Sequence, residues 1–182
     1  PAFINRNTIE LFRTAPKIIV RGVSKRLAAI LDEDGSGLLV AVHTIIPTKI
    51  PLKYALGLLN SELLNWFHLK TFYSVRIPEG SLKYPISFFK QIPIPVVNDK
   101  NKTIVEELEN LVESVLYKKQ GDLNADISTL EENIDWLVYE FASTSDNGYL
   151  IIPASYAEET LAAHDPESKI ANTQDRKLLL CL

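Results

Sequence analysis

Arg21, Ser24, Lys25 and Arg26 put four potential hydrogen-bond donors within six residues. Further along, Lys70, Tyr73, Arg76 and Lys83 lie in or beside the run Phe72 to Tyr84, which mixes aromatic and cationic side chains without helical or strand periodicity. These residue types suit the recognition of nucleic acid. Arginine can clamp a guanine edge through two hydrogen bonds, and lysine and arginine both hold phosphate oxygens. Aromatic rings stack on bases, and a long irregular loop on a rigid scaffold is where recognition residues commonly sit. A solvated surface patch explains the first cluster equally well, and a loop packed down by its own aromatics explains the second. Residue types alone leave these alternatives open.

Catalytic chemistry finds less support. No Ser or Cys stands in a nucleophile elbow. Glu167-Ser168-Lys169 matches half of an acidic metal-dependent nuclease motif, but so short a match in a polar stretch is expected by chance. His43, His68 and His164 are far apart, the chain has one cysteine, Cys181, and no metal-ligand spacing occurs, so no structural metal is expected. The single cysteine also excludes an internal disulfide and suits a reducing cytoplasm, and with no basic stretch leading into an apolar run no signal peptide is expected.

The element that must position the donors is Leu52–Thr71. Leu52, Leu56, Leu59, Leu63 and Trp66 or Phe67 recur at steps of three and four, which predicts a core helix. Lys53, Glu62, Asn65 and Lys70 exclude a membrane span. Asn60-Ser61 in the middle predicts either a bend or a second helix, because both side chains compete for backbone hydrogen bonds. Lys17–Val23 reads as a strand. The acidic, glycine-containing run Asp32–Gly37 reads as the turn between Leu27–Leu31 and Leu38–Ile46 in a small antiparallel sheet. Leu27–Leu31 suits a helix by propensity and a strand by its place beside the turn. Before these, residues 1–16 hold one short helix, ended by Pro16.

Tyr84–Lys90 predicts a turn or two of helix, and the alternating prolines of Ile92–Val96 an extended segment that closes the recognition core. Thr103-Ile104-Val105-Glu106 reads as a capping box that opens a helix ending at Gly121. A second stripe, Leu123, Ile127, Leu130, Ile134, Leu137 or Val138 and Phe141, predicts an antiparallel partner helix. The fold class is therefore α+β: a small antiparallel or mixed sheet with a central helix, then a two-helix antiparallel hairpin. Residues 1–96 form the recognition core, 97–142 the hairpin and 143–182 a partly ordered tail.

The ordered set Lys17-Ile18-Ile19-Val20-Arg21, then Leu58-Leu59-Asn60-Ser61-Glu62-Leu63-Leu64-Asn65-Trp66-Phe67, then Gln91-Ile92-Pro93-Ile94-Pro95 resembles the TaqI-like C-terminal specificity domain. That family supplies the target-recognition part of adenine-specific DNA methyltransferases and of fused type IIG restriction-modification enzymes. The resemblance, from about Pro16 to Phe141, implies a domain that binds double-stranded DNA, and the residue types offer Arg21, Ser24, Lys25, Arg26, Lys70, Tyr73, Arg76 and Lys83 for the contacts. It implies as partner a catalytic methyltransferase domain holding S-adenosylmethionine. The chain itself shows neither an Asn-Pro-Pro-Tyr loop for a flipped adenine nor a Gly-rich cradle, so no cofactor is expected in it. It begins at Pro1 and has no methionine, which leads us to expect a piece of a longer protein.

Charge divides the chain in the same sense. The net charge of −4 conceals a first part, residues 1–95, at +6 and a remainder at −10. Phosphate binding follows local potential, so the first part suits DNA. The acidic hairpin does not, and suits a scaffold or a protein interface. The alternative function is accordingly an assembly module, or the specificity subunit of a multi-subunit restriction-modification system, that uses its hairpin.

Overall fold

A computed structural model describes residues 13–35, 42–71 and 81–144, apart from Pro93, Val96 and the side chains of Phe88, Ser143 and Thr144. β-Branched residues favour a pleated, half-buried surface, and Lys17–Arg21 accordingly forms strand β1. It is the middle of a three-stranded antiparallel sheet between β3 (Ala29–Asp32) and β4 (Val42–Ile45). Ile19 stands opposite Ile30 on one side and Thr44 on the other. The predicted turn after Asp32 therefore does not close a hairpin. β3 and β4 are separated by β1, because long-range pairing, not sequence adjacency, sets strand order.

The two ends of this sheet are fixed differently. At one end the fully buried Lys17 ammonium pairs with the Asp32 carboxylate and donates to the Thr14 carbonyl at 3.0 Å. Asp32 also accepts the Gly35 N–H at 3.1 Å. Gly35 has φ 71°, and a Cβ there would lie 2.5 Å from the Arg13 carbonyl oxygen, so the turn requires glycine. At the other end the predicted strand Lys17–Val23 breaks at Gly22. The Arg21 N–H still reaches the Ala28 carbonyl, whereas the Gly22 carbonyl accepts the Tyr84 N–H at 2.9 Å. β2 (Val23–Ser24) thus leaves the sheet and pairs antiparallel with β5 (Leu82–Lys83) in a separate two-stranded ribbon.

The central apolar stripe forms two helices, α1 (Leu52–Asn60) and α2 (Glu62–Thr71), divided at extended Ser61 (φ −68°, ψ 148°). Ser61 Oγ donates to the Leu58 carbonyl at 2.7 Å and accepts the Leu64 N–H at 3.3 Å, ending one helix while capping the next. A short helix, α3 (Ile86–Phe89), follows β5. The hairpin consists of α4 (Lys102–Gly121) and α5 (Ser128–Thr144). α4 starts before the predicted capping box: its N-cap is Asn101, and Thr103 lies inside the first turn. The Asn101 side chain turns back to accept the Asn98 N–H at 2.8 Å. Leu123, expected to begin the second stripe, lies in the turn between the helices and is 83% exposed.

One apolar core runs through sheet, central helices and hairpin, with Ile18, Val20, Tyr54, Leu59, Leu63, Leu108 and Val138 in the same cluster. α4 packs on α1 at Gly57, where a Cβ would come within 2.9 Å of Val112 Cγ2 and 3.2 Å of Leu108 Cδ1. Buried Tyr54 donates to the Pro95 carbonyl at 3.1 Å and meets Phe141 edge-on, tying the extended segment and α5 to α1.

Candidate nucleic-acid interface

Along Arg21–Lys25 exposure alternates: Arg21, Val23 and Lys25 are exposed, while Gly22 and Ser24 are half-buried. This is the period-two signature of a ribbon with one face in water. Cross-strand pairing brings exposed Lys83 opposite Val23. The outward face of β2–β5 therefore carries Val23, 43% exposed, with Lys83 opposite it, while exposed Arg21 ends β1 before the break and exposed Lys25 follows β2.

The inward face of the ribbon rests on α2. Leu82 and Tyr84 are buried, and the Tyr84 ring stacks on His68 with centroids 4.3 Å apart. Burial holds the His68 imidazole below the ordinary histidine range, against the opposing effect of its hydrogen bond to the Lys83 backbone. His68 thus holds the strand that carries Lys83 through its ring stacking on Tyr84 and its hydrogen bond to the Lys83 backbone. Burial likewise pushes the Tyr84 phenol up to about 12, with Ser24 and Arg26 acting the other way.

Lys25 and Arg26 ride on a segment held by side-chain amides. Asn60 Oδ1 accepts the Ala29 N–H at 2.9 Å, and Asn65 Oδ1 accepts the Leu27 N–H at 3.1 Å. Asn60 Nδ2 in turn donates to the Ala29 carbonyl at 3.0 Å. Arg26, half exposed, donates to Glu62 Oε1 at 2.7 Å and to the Asn60 carbonyl at 3.2 Å. Its charge is therefore shared with Glu62, unlike the outward cations of the ribbon. Glu62 is itself fixed, because its N–H at the start of α2 is accepted by Asp135 Oδ1 of α5 at 2.8 Å. Burial raises the Asp135 carboxyl to about 6, outweighing that hydrogen bond, and the neighbouring Glu62 adds to the shift.

Of the predicted donors, the structure places Ser24 and Lys83 on the ribbon, Lys25 and Arg26 on the segment that follows β2, and Arg21 at the end of β1, before the break at Gly22. Lys70 stands apart on the last turn of α2, 6.0 Å above the Trp66 ring. Tyr73 and Arg76 lie outside the described residues. The sequence reading missed Val23 and the positioning residues Asn60, Asn65, His68 and Asp135. A signal for the asparagines was present: such side chains are disfavoured inside helices unless they hydrogen-bond elsewhere.

Among the described residues no His, Cys, Asp or Glu side chains gather into a group that could hold a metal ion. No described helix is long and apolar enough to cross a membrane. A family model described as the TaqI-like C-terminal specificity domain matches residues 2–94, half of the chain. That span takes in the sheet, the ribbon and both central helices. No curated protein matches the chain significantly.

Proposed function

The chain belongs to the family of TaqI-like C-terminal specificity domains, and from that premise we propose that it is the DNA target-recognition domain of an adenine-specific methyltransferase or fused restriction-modification enzyme. The observation that carries this reading is the outward face of the β2–β5 ribbon, where Lys83 stands opposite Val23 and the exposed cations Arg21 and Lys25 flank β2 along the chain. A two-stranded ribbon fits the major groove, where base pairs are distinguishable. Cations beside the groove hold phosphates and set register, while a side chain at the centre of the face meets base edges. Arg26, fixed by Glu62, positions this segment and offers its remaining N–H groups at the margin of the face. Lys70, and Tyr73 and Arg76 outside the described residues, are offered as further DNA contacts on their residue types alone.

Methyl transfer or cleavage belongs to a separate catalytic unit, in which S-adenosylmethionine would be bound. This chain orients the DNA for that unit, in the cytoplasm where the DNA lies.

Fluorescence-anisotropy titration of the full chain against duplex DNA, at several salt concentrations, tests the reading. Affinity should fall linearly with the logarithm of salt concentration, because phosphate contacts release counterions. Absence of salt-dependent binding at low ionic strength would overturn the proposal.

A further inference from the structure

Away from the ribbon, β3, α1 and the α4–α5 hairpin enclose a groove of about 1030 Å³. Ile30 lines one bank, and Val115, Leu116, Leu123, Ile127 and Trp136 line the other. Ile30 is 57% exposed and Leu123 is 83% exposed, so large apolar side chains face water on both sides. Such surface gains by being covered.

The charges around this floor are unbalanced. Its two cations are already engaged: Arg26 with Glu62 and the Asn60 carbonyl, and Lys119 with the Leu123 and Ala125 carbonyls at 3.0 and 2.8 Å. Glu33 on one side and Glu131 and Glu132 on the other are exposed. Among the described residues none of the three is paired with a cation.

We propose that this groove is a docking site for a cationic amphipathic helix supplied by a partner polypeptide. The floor takes apolar side chains at helical spacing and the rim takes Lys or Arg on the flanks. From Val112 to Gln120 the α4 bank covers about 12 Å, so the occupant engages through roughly two turns. The charge pattern selects among occupants. DNA is repelled by the acidic rim, and a second copy would bring the same glutamates against themselves. Residues 145–182 carry six acidic and three basic side chains, the wrong balance for this rim. The groove touches the DNA-facing segment at its margin through Arg26, Asn60 and Glu62, but Val23, Lys25 and Lys83 lie outside its lining.

The probe is a fluorescent 18-residue helical peptide with leucines at i, i+3, i+4 and i+7 and lysines on its outer face, titrated into the full chain. Binding should weaken tenfold or more in the E131K/E132K double variant, whose altered side chains are exposed and leave the core intact. It should also weaken in Leu123→Ser, and stay unchanged in Tyr117→Ser, an exposed aromatic outside the groove. A peptide with glutamate in place of lysine should not bind. Equal binding of the acidic peptide, or indifference to the Glu131 and Glu132 changes, overturns the proposal. So does binding that appears only after residues 145–182 are deleted, which would make the tail the occupant. A concentration-dependent dimer broken by Leu123→Ser overturns it in favour of a second copy.

Discussion

Asn60 meets Ala29 as a neighbouring strand would, accepting its N–H at 2.9 Å and donating to its carbonyl at 3.0 Å. β3 is an edge of its sheet, and Ala29 turns its backbone groups away from β1. A helix side chain thus completes the ladder on the side where no strand exists. Asn60→Ala leaves a partly buried donor and acceptor without partners, each costing about 1–3 kcal/mol. Urea denaturation should show a loss of about 2–4 kcal/mol, and hydrogen exchange at Ala29 should accelerate. Asn60→Asp keeps the acceptor and loses the donor, so it should fall between wild type and Asn60→Ala.

The contact between Gly57 and Val112 predicts a compensating pair. Gly57→Ala forces a Cβ to within 2.9 Å of Val112 Cγ2, and overpacking of this kind costs about 1–3 kcal/mol. Val112→Ala opens a cavity and is destabilising on its own. The double variant should be more stable than the sum of the single losses predicts, because the new methyl group occupies part of the space vacated. Chemical denaturation of the four proteins measures the coupling, and strict additivity would contradict this packing.

Asp135 gives the stability a pH dependence of defined sign. Its carboxyl is raised from 3.8 to about 6 by burial, so the folded state binds the proton more tightly than the unfolded state. The contribution is fully present below about 3.8 and is lost as pH rises through about 6. The two-unit shift corresponds to about 3 kcal/mol at most, and to less where solvent reaches the group. Asp135→Asn keeps an acceptor for the Glu62 N–H and removes the titration. Relative to wild type, this variant should gain stability between pH 4.5 and 7.5, as read from denaturation midpoints across that range. A flat difference would contradict the assignment.

The central helices were legible because their apolar period is long, and their division because Asn60 and Ser61 favour caps over helix interiors. The start of α4 was misplaced because Thr103 and Glu106 satisfy the capping-box pattern, while the helix begins at Lys102 with Asn101 in the N-cap position and no side-chain capping bond. Sheet order was not legible: nothing local distinguishes β3 beside β4 from β3 beside β1. The cations at Arg21, Lys25 and Lys83 could be named from their residue types. The approach of Lys83 to the segment that holds the other two could not, since it depends on pairing between two strands of two residues each. Val23 escaped notice for the same reason, because an isolated valine gains meaning only once its cross-strand neighbour is Lys83.

That neighbourhood supplies the sharpest test of the proposed interface. Lys25 and Lys83, as phosphate contacts, should act alike on every duplex. Lys25→Ala and Lys83→Ala should each lower the slope of log affinity against log salt by about 0.9, with little change in discrimination. Val23 carries no charge and leaves that slope unchanged when replaced. If the ribbon enters the major groove, exposed Val23 is an apolar group available to a thymine methyl, and Val23→Ser should then narrow the gap between target and non-target duplexes. Arg21→Ala, if the guanidinium clamps guanine, should narrow it by about 1–3 kcal/mol. Target duplexes selected from a random pool with the full chain allow all four variants to be compared in one anisotropy series. A folded Arg21→Ala, Val23→Ser double variant that discriminates as sharply as wild type would move base reading away from these two residues.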